Sequence, residues 1–259
     1  MRNLLLTIRF VGTNFVGWQV QKNGISIMEK IQDAIQRVTG ERSAVKGCSR
    51  TDSGVHANNY CLSFCTDSPI PTEKFPIALN QHLPEEIGVL SCQEKPMDFH
   101  ARYHCIGKEY VYKIHRSPVR DPFLTNLALE HPRPLDLSVM QAAAAHLVGR
   151  HDFKSFCSTK TDQLDTRRTL WWVKVEQQEE LLFIKVAGDG FLFNMVRIIV
   201  GTLLWVGTYV ITPDRIPFIL EGKDRTLAGM TAPAKGLYLN HVFYFPEEVM
   251  EFGEDSQFG

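Results

Sequence analysis

No C-x-x-C pair and no regular spacing links the six cysteines, Cys48, Cys61, Cys65, Cys92, Cys105 and Cys157. That argues against thiolate zinc sites and against a secreted disulfide framework. An export signal is missing too. The opening "MRNLLLTIRFVG" is too short and too strand-like for one, and no cleavage site follows. Reduced thiols in a cytoplasm are therefore expected, most of them as small core residues. A basic excess is also absent: net charge is −1 over 259 residues, which on its face argues against a nucleic-acid partner. The charge is uneven, however. The last 13 residues, "EEVMEFGEDSQFG", hold five acids and no Lys or Arg, so the remainder stands at +4. With that tail set aside, "GKEYVYKIHRSPVR" and "GRHDFKSF…TRR" are able to form a basic cleft, a feature compatible with RNA.

Long apolar runs are equally scarce. The one that stands out, "FLFNMVRIIVGTLLWVG", carries a single ionisable residue between Gly190 and Val206, Arg197. A central arginine costs about 2.5–3.5 kcal/mol on membrane-insertion scales, so a buried core helix is the better reading. A buried guanidinium must then be paired. Either Arg197 serves a structural ion pair or it reaches a cleft and faces a catalytic carboxylate; Asn194, one turn earlier, lies on its side.

What is present reads as alternating strands and helices, with hydrophobic content of 44% and ample length for one large domain or two modest ones. "LLLTIRF" is a strand. "SIMEKIQDAIQRVTG" is a helix with a Ser26–Glu29 capping box, an apolar stripe of Ile27, Ile31, Ile35 and Val38, and Gly40 to end it. "AVKGCSR", "NNYCLSFC" and "EYVYKIH" read as strands. "LSVMQAAAAHLVGR" is a second helix, with Ser138 and Gln141 at capping-box spacing. "RTLWWVKVEQQEELLFIKVAG" is a hairpin turning near Gln177–Glu180. "LTIRFVGTNFVGW" and "LFIKVAGDGFLFN" echo each other as strand, glycine loop and aromatic pair, each leading into a helix. Two α+β lobes are expected from that echo. His100 and His104 sit four apart in "HARYH", in a strand-like run, but lack the glutamate of H-E-x-x-H and make a weak metal site.

The most pointed stretch is "CSRTDSGVHA", residues 48–57. In an extended chain Arg50 and Asp52 share one face, and Gly54 then permits a sharp turn. The stretch either lifts a single acid onto a strand end beside a fixed positive charge or makes an ordinary salt-bridged turn.

Together these residues resemble the tRNA pseudouridine synthase A (TruA) family from Leu4 to about Phe245. "FVGWQVQKNGISIMEKI" is similar to the family's opening motif, "SRTDSGVHA" to its G-R-T-D-[AS]-G-V-H-A signature, and "FHARYHCIGKEYVYKI" to its F-H-A-R…Y-x-Y segment. "FNMVRIIVGTLL" resembles its M-V-R helix and "AKGLYL" its closing G-L-Y-L. Two departures stand out: Ser49 replaces the signature glycine, and "DPFLTNLALEH" lacks an arginine that often follows P-F-L, which puts some RNA contacts in doubt.

The resemblance implies the α+β pseudouridine synthase fold: two similar lobes sharing a central, mostly antiparallel sheet, with a cleft between them. The implied division is 1–106 for an N-terminal lobe with the catalytic acid, 107–246 for a C-terminal lobe, and 247–259 for an acidic tail without fixed structure. It implies isomerisation of uridine to pseudouridine at positions 38–40 of the tRNA anticodon stem-loop, by a homodimer, without metal or organic cofactor. Asp52 matches the nucleophile. A carboxylate serves that role without a cofactor, and in a desolvated pocket it stays ionised only beside positive charge, which Arg197 would supply. Arg50 would hold the RNA backbone or the flipped base. Tyr110 would stack on the extruded uracil, and its hydroxyl would assist proton movement; its plainer role is to pack the sheet. The same chemistry on other tRNA uridines is the nearest alternative. A two-carboxylate nucleoside or glycoside hydrolase lacks an evident second acid beside Asp52, and a silent RNA-binding relative would have no use for Asp52, Tyr110 and Arg197 together.

Overall fold

The computed structural model describes residues 1–159 and 164–255. It divides into two compact units, one of residues 1–106 with 238–248, the other of 107–237 with 249 onward. In the first unit β1 (Arg2–Phe10) leads to α1 (Ile27–Thr39), then β2 (Lys46–Gly47), β3 (His56–Thr66), α2 (Phe75–Asn80) and β4 (Ile87–Lys95). The second runs β5 (Gly107–His115), β6 (Leu129–Glu130), α3 (Leu137–Ala145), β7 (Gly149–Asp152), β8 (Arg167–Gln178), β9 (Leu181–Gly188), α4 (Met195–Gly207) and α5 (Arg215–Gly222). β10 (Leu237–Phe243) and α6 (Pro246–Asp255) close the chain.

In the first unit β1 lies between β4 and β3, antiparallel to both. Leu4, Leu6 and Ile8 of β1 are fully buried and stand opposite Phe64, Leu62 and Tyr60 of β3. Helix α1 forms as its residues dictate: the Ser26 hydroxyl accepts the Glu29 amide at 3.2 Å, and Gly40 ends the helix in the left-handed region at φ 77°. Its buried stripe is Ile27, Ile31, Ala34 and Ile35. On the other side of β3, Tyr238 and Leu239 of β10 pair in parallel with His56 and Ala57. This pairing groups residues 238–248 with the first unit, whereas the sequence suggests a single lobe over 107–246.

The second unit orders its strands β5-β9-β8-β7, all antiparallel, with β6 added in parallel to β5. The β8–β9 hairpin turns at Glu179, whose φ is 54°. Helix α4 is 13 residues long, about 20 Å, and is buried along nearly its whole length against α3, β5 and neighbouring loops. Among the described residues no helix is long and apolar enough to cross a membrane. Gly201 admits a close approach in α4: a Cβ there would lie 1.8 Å from the Met230 carbonyl oxygen.

Several readings need correction. Helix α3 is capped by Asp136, not Ser138, because the Asp136 carboxylate accepts the Ser138 and Val139 amides. Gln141 instead donates its side-chain amide to the Val175 carbonyl at 2.9 Å. The acidic segment expected without structure is helical from Pro246 to Asp255. One of its own acids starts the helix, since the Glu248 carboxylate accepts the Tyr244 and Phe245 amides. Lys174 then donates to the Gly253 carbonyl at 3.0 Å. Residues 256–259 lie outside the described part.

Candidate active site

Asp52 stands in a loop between β2 and β3, not on a strand end. The Val55 amide donates to the Asp52 carbonyl at 3.2 Å, and Gly54 adopts φ 76°, the left-handed turn that its lack of a side chain permits. Asp52 is half-buried and Thr51 is buried. Arg50 is exposed and makes no ion pair among the described residues, so a local Arg50–Asp52 salt bridge does not explain the motif.

The loop that follows β1 holds this turn from two sides. The Trp18 amide donates to the Thr51 carbonyl at 3.1 Å, and the Ser53 hydroxyl donates to the Phe15 carbonyl at 3.1 Å. Gly17, at φ 108°, lets the chains touch: a Cβ there would fall 2.5 Å from the Thr51 carbonyl oxygen and 3.1 Å from the Asp52 carbonyl carbon. Gly12 does the same at Val55, where a Cβ would meet the carbonyl oxygen at 2.0 Å. Tyr60 braces the approach to the turn, stacking on Trp18 at 4.2 Å and donating its hydroxyl to the Ser49 carbonyl. Gly12 and Gly17 are the residues that sequence reading missed as contributors. The visible signal was the pair of glycines inside "FVGTNFVGW".

In the second unit Tyr110 and Arg197 gather around one loop, residues 189–194. Tyr110, in β5, is only 8% exposed and meets Phe191 edge-on at 5.0 Å. Asn194 takes the left-handed conformation (φ 61°) just ahead of α4, so it precedes the helix and is not part of it. Its side-chain oxygen accepts Arg197 Nη1 at 2.9 Å, while Arg197 Nε donates to the Ala232 carbonyl at 2.6 Å. The guanidinium is thus held in the plane set by two acceptors. Arg197's charge also acts on Tyr112, opposing the burial that pushes that hydroxyl's pKa up. Arg168 lies along the same loop: a Cβ at Gly190 would touch its Nε at 3.2 Å. It stands opposite His151 across β7 and β8, with Arg150 opposite Thr169 and Arg167 opposite Asp152, so this unit carries a ribbon rich in basic residues. Acids temper that ribbon, since Asp165 pairs with Arg167 at 3.2 Å.

The sequence model of the family described as tRNA pseudouridine synthase matches residues 6–104 and 143–245. The chain belongs to that family. The tRNA pseudouridine synthase A of Clostridium acetobutylicum is 45% identical over 94% of this chain and 100% of its own length. Those of Ruminiclostridium cellulolyticum, at 46%, and Acetivibrio thermocellus, at 45%, match over the same shares.

His100 and His104 lie in a turn, where the His100 amide donates to His104 Nδ1 at 3.0 Å and the Arg102 amide donates to His100 Nδ1 at 3.1 Å. Each Nδ1 is thereby occupied by backbone. Burial first, then the Lys46 charge, pushes the His100 pKa down. Among the described residues no three His, Cys, Asp or Glu gather as a cation site requires. All six cysteines are thiols, and burial pushes Cys61 up to about 11, far from a reactive thiolate.

Proposed function

We propose that this chain isomerises uridine to pseudouridine in tRNA, at positions 38–40 of the anticodon stem-loop, with Asp52 as nucleophile. The observation that carries the reading is the Asp52 turn itself: one carboxylate on a glycine turn, gripped by backbone from Phe15, Gly17 and Trp18. A salt-bridge turn has no need of that grip; a group that must meet a reacting atom does. The reaction breaks the N1–C1′ glycosidic bond, forms C5–C1′, releases the C5 proton and returns a proton to N1, so mass is unchanged. Asp52 is the partner of the detached fragment. Arg197, fixed by Asn194 and Ala232, supplies the counter-charge that keeps the carboxylate ionised. Tyr110 offers its ring to the extruded uracil and its hydroxyl to the moving proton. Arg50, exposed on the same stretch as Asp52, contacts RNA phosphate.

On this reading the enzyme works in the cytoplasm as a homodimer, a state that light scattering of the free protein measures. The decisive assay is tritium release from tRNA carrying uridine labelled at C5, with mass spectrometry of the product. Wild type releases tritium without a change in mass, and Asp52→Asn abolishes release while leaving melting temperature and tRNA affinity nearly unchanged. Release of free uracil would point to a hydrolase instead. Turnover by Asp52→Asn within about tenfold of wild type removes Asp52 from the nucleophile's place, since a covalent nucleophile has no such substitute.

A further inference from the structure

We propose that His56 is a positioning residue for the reaction, a latch that locks the glycine loop onto the Asp52 turn. The proposal rests on the reading of Asp52 as nucleophile. His56 is the first residue of β3, four positions after Asp52, and it is 0% exposed. Its Nδ1 accepts the Gly12 amide at 3.0 Å, an arrangement that requires Nδ1 to carry no proton. The ring lies against Tyr238 of β10 at 4.6 Å and 28°, so it cannot swing away from Gly12. Gly12 in turn abuts the Val55 carbonyl, and the residues after it run on to Phe15, Gly17 and Trp18, which grip Thr51 and Ser53.

The turn bearing Asp52 is therefore enclosed by one ring of contacts, and His56 is the side chain that closes it. Without an acceptor at Nδ1 the buried Gly12 amide loses its partner. The loop then has reason to leave Val55, and the backbone behind Asp52 loses its support. A shift of about 1 Å in a reacting group is worth on the order of 10²-fold in rate. His56 would thus act on catalysis without touching substrate.

Three substitutions in the full chain separate this role from packing. Asn places its side-chain oxygen where Nδ1 now sits; Leu fills similar space with no acceptor; Gln moves the oxygen one methylene too far. Single-turnover tritium release at saturating enzyme reads the chemical step, filter binding reads tRNA affinity, and amide exchange by mass spectrometry reads residues 11–18. His56→Leu is expected to lose about 10²-fold in rate with affinity little changed, and to exchange faster over that loop. His56→Asn is expected to recover to within about fivefold of wild type with slow exchange restored. His56→Gln should follow Leu, and it supplies the comparison with Asn should the leucine variant not fold. Equal rates in the Asn and the Leu or Gln variants, whether high or low, overturn the latch. Asp52→Asn runs alongside. Turnover there overturns the nucleophile reading whatever His56 does, whereas an inactive Asp52→Asn beside wild-type rates in His56→Leu overturns the latch alone.

Discussion

A methyl group at Gly17 should damage catalysis more than its cost in stability explains. Gly17 has φ 108°, and an alanine Cβ there would sit 2.5 Å from the Thr51 carbonyl oxygen, 3.1 Å from the Asp52 carbonyl carbon and 3.3 Å from the Ser53 amide nitrogen. All three neighbours are backbone, so no side chain can rotate to make room. Relief of the shortest contact requires the Asp52 turn to retreat by about half an ångström or more. The φ strain alone costs about 1–3 kcal/mol, and each kcal/mol lowers the melting temperature by about 2–4 °C in a chain of this size. The displaced carboxylate should cost on the order of 10²-fold in single-turnover rate. Gly40 provides the control. It too has positive φ, 77°, but nothing lies within 4 Å of an added Cβ. Gly40→Ala should therefore destabilise by about 1–2 kcal/mol and leave the rate alone. The assay compares the two variants by calorimetry and by tritium release at a temperature where both are folded. Matching rates in Gly17→Ala and Gly40→Ala would refute the claim that this glycine positions the acid.

Other outcomes follow from the second unit. Arg197→Ala should lower the single-turnover rate by about 10²–10³-fold, and Arg197→Lys should restore little, because one ammonium cannot engage both Asn194 and Ala232 as the fork does; a lower melting temperature with normal turnover would make Arg197 purely structural. Tyr110→Phe keeps the edge-on contact with Phe191 and is expected to lose about 10²-fold in rate, because it removes the hydroxyl that moves a proton; wild-type turnover would leave the ring as a platform only. Asp136 is held down to about 2 by the Ser138 hydroxyl first and by Tyr209 next. A depressed folded-state pKa stabilises at every pH above the ordinary carboxylate range and is lost as pH falls through the folded value. Acid melting curves should accordingly show Asp136→Ala losing stability relative to wild type at pH 5, with the gap closing between about pH 4 and pH 2; a gap independent of pH would contradict the assignment.

Features written in consecutive residues were legible. Ser26 caps α1 and Gly40 ends it, the β8–β9 hairpin turns beside Glu179, and Gly54 takes the positive φ that "TDSGV" suggests. Each depends on conformational preferences that a few neighbours decide. Arg197 was legible for a different reason: a lone guanidinium in an apolar helix must be partnered, and Asn194, which accepts from it, lies on the side the spacing gives. The Ala232 carbonyl was not, because nothing in the sequence brings residue 232 to the start of α4.

Distance along the chain explains the remaining errors. Asp136 and Ser138 are both competent caps. The choice between them is made from afar, where the Asp136 amide donates to the Gly207 carbonyl and Tyr209 bonds its carboxylate. "HARYH" looks strand-like until the Ala101 amide turns to the Ser63 hydroxyl, 38 residues back, and folds the run into a turn. The acidic end looked like a solvated tail because composition counts its charges and not the amides that one of them accepts. Around Asp52 the same limit matters most. The motif announces an acid on a turn, but its grip comes from Gly12, Phe15 and Gly17, with Ser53 and Phe15 also 38 residues apart. A glycine's requirement for close approach is invisible until the opposing backbone is known. What a sequence declares most readily is the acid of a motif. What holds that group still is spread through residues whose only distinction is where the fold puts them, and at Asp52 those are glycines, carbonyls and one buried imidazole.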